Sequence, residues 1–376
     1  MIKPFRSAAA TGDEPGTLAD DLIAGIGELP PREPDTVRVG FIHISDALTR
    51  HARTLLRPLG ERLGIDHFVG GMGMAVIGPR EEFYETPAVT LMLGEFPSGS
   101  VRVIHRPVTR FDELKRELDG FIEAQTPARL LLNADPRMEN LEEVLSAIDE
   151  QTAWFAVGGV NSGADGVVQI ADGVAASGIT GLALRDDVAI AARHTQGCTP
   201  LPGQHELTET WRNIIVRLDG QQALPAFKGI IGDVLSRNLE RALGYILVGF
   251  PIPGSDTGDY RVRNIIGVDL DQELLAVGEM LEQGSTILFV RRDGQAARED
   301  LEQMLDGIRS QAPHGIRGAI YVSCVGRGRH QFGQAGTELG IVQKGLGDVP
   351  LIGFFANGEI FSNRLYGYTG VLTLFT

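Results

Sequence analysis

A chain of 376 residues exceeds what one hydrophobic core usually serves, so two domains are expected. Hydrophobic content of 43% with 22% charged residues is that of an ordinary globular protein and excludes broad disorder. With 34 basic against 49 acidic residues the formal charge is −15, which excludes a wide nucleic-acid surface and adsorption to anionic lipid.

The N-terminus "MIKPFRSAAATGDEPGTLADD" lacks the apolar centre of a signal peptide. No run approaches the ~20 apolar residues that span a bilayer. Cys198 and Cys324 are the two cysteines, with no CxxC pair, so neither a disulfide scaffold nor a zinc ribbon is expected. A cytoplasmic protein with no membrane insertion follows. Residues 15–27 form a predicted helix with Leu18, Leu22, Ile23 and Ile26 on one face. The alternating "VRVGFIHIS" (37–45) is a strand, and a helix is expected across 46–63. From 67 to 109 three strand-like runs between Gly/Pro turns predict an antiparallel meander. A helix (111–124), the strand "ARLLLNA", a helix (139–149) and the strand "WFAVGGV" come next, then a hairpin-like stretch through "GITGLAL" and "VAIAARH". The second half has the meander "YILVGF", "YRVRNIIGVD" and "STILFVRR", then a helix near 296–309. The strand "GAIYVSC", a helix (334–344), the strand "PLIGFFA" and a final strand "YGYTGVLTLF" complete it.

The halves also match in letters. "DELKRELDGFIEAQTPARLLLNA" (112–134) sits against "REDLEQMLDGIRSQAPHGIRGAIYVS" (298–323), a helix and then a strand in each case. The match, with the shared order of elements, points to an internal duplication. The expected fold class is α+β: two duplicated units, their largely antiparallel or mixed sheets packed together and helices outside. The domains are expected at 1–219 and 220–376, with the hinge near 216–229.

The phosphate-loop and metal signals are thin. "QKGLGD" (343–348) has its lysine in the wrong place for a P-loop, and "GGMGMAVIG" (70–78) reads as a turn in the meander. "HELTE" (205–209) lacks the second histidine of a zincin, and the other histidines are scattered. His43, mid-strand, reads as structural. No metal and no cofactor is expected from spacing. Haem stays open, because one axial histidine suffices and leaves no spacing signature.

The sharpest chemistry lies in "YVSCVGRGRHQFG" (321–333). Cys324 ends a strand before a Gly-rich turn, and Arg327, Arg329 and His330 are placed to lower a thiol pKa, so a nucleophile is one reading. A binding loop is the other. Arg327, between Gly326 and Gly328, suits a forked contact with an anion. The helix that follows has free N–H groups with the same preference. In "PLIGFFANGEI" (350–360) a buried strand carrying Phe355 ends in Asn357, Gly358 and Glu359, and strand ends are where ligands sit. Arginine on one side and glutamate on the other would suit a zwitterion such as an amino acid. "AVGGVNSGADG" (156–166), with Asn161, and "HTQGCTPLPG" (194–203), with Cys198, are weaker analogues in the first half.

"SCVGRGRHQFG", "PLIGFFANGEI" and "LYGYTGVLTLF" resemble the hallmark segments of the C-terminal FIST (F-box and intracellular signal transduction) domain. "AVGGVNSGADG", "GITGLAL" and "QGCTPLPG" resemble the N-terminal FIST domain, with Thr199 where an arginine is usual. The resemblance implies a stand-alone intracellular sensory protein that binds a small ligand such as an amino acid and acts through a separate output partner. It places Cys324, Gly326, Arg327, Gly328, Phe355, Gly358 and Glu359, with Cys198 in the first half, in the family motifs. It brings no catalytic residues, so no enzyme is expected. A haem-binding nitric oxide sensor with a partner histidine kinase is the alternative that the resemblance adds. A cysteine-dependent enzyme using Cys324 is the second alternative.

Overall fold

The computed structural model describes residues 4–163, 167–252 and 260–376. The last residues of the 156–166 stretch, 164–166, lie outside the described residues. The fold is α+β, with mixed sheets and flanking helices. The chain divides into two compact units. One comprises residues 1–196 and 298–376, and the other residues 197–297.

The larger unit holds three sheets built to one plan, so the helix–strand step runs three times where two copies are expected from the letters. In the first repeat the order is strand Arg6–Thr11, helix Pro15–Ile26, strand Thr36–Ser45, helix Ala52–Leu63, strand His67–Gly73, a short hairpin (75–84) and strand Ala88–Pro97. The second repeat runs Val101–Val108, helix Phe111–Leu118, Ala128–Ala134, helix Leu141–Gln151, Trp154–Val160, a hairpin (169–175) and Ile179–Arg185. The third runs Ile190–Gln196, helix Gly294–Arg309, Gly318–Cys324, helix Thr337–Leu346, Leu351–Ala356, a hairpin (359–366) and Thr369–Phe375. The smaller unit is inserted in the chain after the first strand of this third repeat. The match of 112–134 with 298–323 is the second and third occurrence of the helix–strand step.

In each repeat the two central strands are parallel, joined through a helix, and the last strand pairs antiparallel beside them. The strand at 67–73 therefore pairs parallel with 36–45, not in a meander, because a helix carries the chain back to the same end. The hairpins leave their own repeat. That of the first joins the third sheet, that of the third joins the second, and that of the second joins the first. Ile77, Ile170 and Ile360 occupy one position in these hairpins, opposite Gly353, Gly70 and Gly158. A Cβ on those glycines would lie 1.7, 1.8 and 1.9 Å from the carbonyl oxygens of Tyr321, Ile42 and Leu132. The close approach of the paired strands leaves room for glycine alone.

"GITGLAL" and "VAIAARH" do not form a hairpin. Strand Ile179–Arg185 already has neighbours on both edges, at 101–108 and 128–134, so Ile190–Gln196 pairs with 369–375 in another sheet. The inner faces of the three sheets meet in one core, with Phe41 and Met92 from the first, Val103, Leu131 and Val157 from the second, and Val322, Phe354 and Val371 from the third. The outer faces take the helices, as with Leu22, Leu55 and Leu59 over Ile42 and Ile44. Burial on both faces explains why the central strands read as nearly continuous apolar runs.

In the smaller unit, strands His205–Trp211, Ile214–Leu218, Leu274–Val277, Tyr260–Asp269, Ile246–Pro251 and Thr286–Arg292 pair antiparallel in that order, and the last pairs back with the first. The sheet closes into a six-stranded barrel, which removes its edges. Leu207, Ile215, Val248 and Phe289 fill it, together with Phe227 of helix Ala223–Ser236. Cys198 opens a short outer strand, Cys198–Pro200, on Thr286–Arg292.

Candidate functional site

Strand Gly318–Cys324 ends at a tight turn, in which the Arg327 N–H donates to the Cys324 carbonyl at 2.8 Å. Gly328 follows with φ +50°, and a Cβ there would sit 2.0 Å from the Tyr84 hydroxyl and 2.7 Å from the Phe355 ring. A Cβ on Gly326 would meet the Tyr368 ring at 2.7 Å. These glycines press the loop onto aromatic rings, and the arginine between them turns inward.

Arg327 and Glu338 are both 0% exposed. Arg327 Nε donates to Glu338 Oε1 at 2.8 Å. The same carboxylate accepts from the Tyr321 hydroxyl (2.7 Å), the Ser323 hydroxyl (3.1 Å) and the Gly328 N–H (2.8 Å). Four donors thus surround the Glu338 carboxyl group, which faces the buried guanidinium. Burial lowers the Arg327 pKa, but the Glu338 carboxylate outweighs it and the net direction is upward. Both terminal nitrogens of Arg327, Nη1 and Nη2, are buried without a close hydrogen-bond acceptor, and the Tyr321 hydroxyl also interacts with the guanidinium. The guanidinium carbon lies 5.2 Å from the Phe332 ring centroid.

On the other face of the same strand, Cys324 is 7% exposed and neighbours Glu359, which is 0% exposed. Burial first, and then the charge of Glu359, pushes the Cys324 thiol up. Glu359 Oε2 accepts from the Thr369 N–H (3.1 Å) and hydroxyl (2.8 Å), and the Cys324 thiol also bonds to the carboxyl group. Burial pushes the Glu359 carboxyl up to about 8, against the opposing pull of Thr369, Cys324 and the Arg327 charge.

The structure thus gathers Cys324, Gly326, Arg327, Gly328 and Glu359 at one end of the third sheet. Phe355 is buried there, its ring 5.0 Å from Tyr84. Gly358 leads into the hairpin, with its carbonyl accepting from the Val160 N–H. Asn357 is exposed, its backbone N–H donating to Val160, so its side chain is not part of the buried cluster. Asn161 is buried, donates to the Val168 carbonyl and packs over Gly71 of the first sheet. Cys198 belongs to the smaller unit, where its carbonyl accepts from the Tyr260 hydroxyl.

The expected anion site at the helix N-terminus is taken from within. Glu82, on the hairpin from the first repeat, accepts from the N–H groups of Gly336 (2.8 Å) and Leu339 (3.2 Å). A carboxylate there satisfies the helix end as an external anion would. Sequence reasoning missed Glu82 and Glu338. Glu338 stands in the first turn of the helix Thr337–Leu346, a position that ordinarily reads as solvent-facing. The alternate Tyr321 and Ser323, both aimed to its side, were the available signal.

Among the described residues no group of three or more His, Cys, Asp and Glu is placed to hold a metal ion. His43 is a buried histidine whose Nδ1 lacks a partner. The cavity beside it, lined by Phe41, Asn133, Phe354 and Thr373 among others, is about 30 Å³. That is room for a water, not a macrocycle, so the His43 surroundings do not fit haem. No helix among the described residues is long and apolar enough to cross a membrane.

The comparisons with known proteins agree with this arrangement of motifs. The chain is 28% identical over 355 residues to the uncharacterized protein Mb0898c of Mycobacterium bovis, covering 88% of each chain. It is 27% identical over 325 residues to the uncharacterized protein Rv0628c of Mycobacterium tuberculosis, covering 82% of this chain and 83% of that one. The FIST N domain model matches residues 38–221 and the FIST C domain model residues 223–362, a boundary that falls inside the barrel. With both models matched over most of its length, the chain belongs to the FIST family.

Proposed function

We propose that this chain is a cytoplasmic sensory protein that binds a small metabolite at the buried end of the strand Gly318–Cys324 and signals through a separate partner. The observation that carries the reading is the wholly buried Arg327 guanidinium, whose terminal nitrogens have no close hydrogen-bond acceptor. A buried guanidinium with two unmatched N–H₂ groups is costly unless something supplies acceptors. A ligand that supplied them in one domain arrangement better than another would shift the population of the two.

The reading is of a binding protein and not of a cysteine enzyme. Its support is that the Cys324 thiol is buried beside a carboxyl group, the reverse of the electropositive setting that makes a thiolate. Arg327 is engaged by Glu338, and His330 is exposed.

A thermal-shift screen with amino acids, nucleotides and small organic acids tests it, run on the wild type and on Arg327→Lys. Lysine keeps a charge for Glu338 and loses the fork. A ligand at about 100 times its Kd stabilises by about 2.7 kcal/mol. The expected result is a shift of several degrees in the wild type that disappears in Arg327→Lys. Equal shifts in both proteins would remove the pocket assignment.

A further inference from the structure

The centre of the larger unit holds polar groups that an apolar core does not explain. His43 is 3% exposed, and its ring lies 4.9 Å from that of Phe354 in the third sheet. Its Nδ1 has no hydrogen-bond partner in the protein. The same holds for the hydroxyl of Thr90, the residue directly opposite His43 on the last strand of the first sheet. The threefold repeat shows that this place can be filled otherwise. Counted from the crowded glycines Gly70, Gly158 and Gly353, the counterparts of His43 are Asn133 in the second repeat and Val322 in the third. Those of Thr90 are Thr180 and Val371. The third sheet therefore meets the core with two valines where the first and second bring an imidazole, an amide and two hydroxyls.

His43 and Asn133 line one cavity of about 30 Å³, and Thr373 of the third sheet lines it with them. Each sheet thus contributes one polar side chain to a lining that is otherwise apolar, with Phe41, Leu131 and Ile320 among its walls. A water needs about 10–15 Å³ of such space and two to four polar partners. The cavity offers the room and three side chains that can serve.

We infer that this cavity is a binding site for ordered water, held between the three sheets by His43, Asn133 and Thr373. Among the described residues that line it none is a lysine, arginine, aspartate or glutamate, so neither a cation nor an anion finds a counter-charge there. Burial holds the imidazole at about 3, so at neutral pH the ring carries one N–H and one bare nitrogen. Water both donates and accepts, so it matches either nitrogen, the Asn133 amide and the Thr373 hydroxyl. The apolar walls and the small volume exclude a larger metabolite. Arg327 is not among the lining residues, so the inference is independent of the metabolite reading given above.

A crystal structure of the wild type at a resolution that shows ordered water, repeated under xenon pressure, tests this. The expected result is a water within hydrogen-bond distance of a His43 ring nitrogen and of the Asn133 or Thr373 side chain, with no xenon in its place. A dry apolar cavity takes up xenon, so a xenon peak there, or a cavity without water density, overturns the proposal. Urea unfolding midpoints of His43→Phe, Asn133→Leu and the double variant supply a second reading. If one water serves both side chains, the double variant falls by clearly less than the sum of the two single falls. Falls that simply add overturn the sharing of a water by His43 and Asn133. The wild-type crystal result decides the proposal even where a variant fails to fold.

Discussion

Replacing Glu338 by alanine is expected to cost the fold about 3–5 kcal/mol, the range for removing one partner of a buried ion pair. The Arg327 guanidinium would be left wholly enclosed with no counter-charge, since Glu338 is the acid it pairs with. Removing both members with Arg327→Met and Glu338→Met is often harmless in other proteins, because it deletes both desolvation costs. Here it would strand the Tyr321 hydroxyl, the Ser323 hydroxyl and the Gly328 N–H, all of which donate to Glu338. Each unmatched buried donor costs about 1–3 kcal/mol, so the double replacement is expected to remain clearly destabilising. Urea unfolding midpoints at constant m-value measure both effects. A double variant as stable as the wild type would mean that Glu338 serves Arg327 alone.

Stability against pH is expected to have a flat top with a slope on each side, from two buried groups of opposite sign. Burial holds Glu359 at about 8 against an ordinary 4.5, and holds His43 at about 3 against an ordinary 6.5. Between pH 4.5 and 8 the folded chain keeps the Glu359 proton that the unfolded chain has released, so stability falls as pH rises. Between pH 3 and 6.5 the unfolded chain keeps a His43 proton that the folded chain has released, so stability rises with pH. Where the windows overlap, from 4.5 to 6.5, the two slopes cancel. Each free limb has a ceiling of about 1.4 kcal/mol per pH unit. Glu359→Gln is expected to remove the alkaline limb and leave the acid one. Urea unfolding of both proteins from pH 4 to 9 checks this, and parallel profiles above pH 6.5 would contradict the burial argument for Glu359.

Much of the candidate site is legible in the chain itself. A glycine on either side of Arg327 announces a backbone pressed against neighbours, and the rings of Tyr84, Phe355 and Tyr368 are those neighbours. Glu359 follows directly on a buried strand, and its place beside Cys324 follows from that. The acids at Glu82 and Glu338 are harder to see. Each sits where local pattern assigns a charge to solvent, and each is buried because a distant element covers it. Glu82 arrives from a repeat more than 250 residues away along the chain.

The threefold plan is hidden for a related reason. A hairpin that leaves its own repeat looks, in the sequence, like one more step of a meander. The inserted barrel then separates the first strand of the third repeat from its helix and spoils the period. The letters survive only between 112–134 and 298–323, so two copies show where the structure has three. What does persist is chemical: Gly70, Gly158 and Gly353, each facing an isoleucine, mark the same crowded crossing in all three sheets.

The most direct measurement of the central claim is the electron density beside Arg327 in crystals grown or soaked with sodium formate near pH 6.5. The account predicts a planar ligand whose oxygens lie within hydrogen-bond distance of Nη1 and Nη2 of Arg327. Density for ordered water alone at those atoms, unchanged by formate, would contradict it.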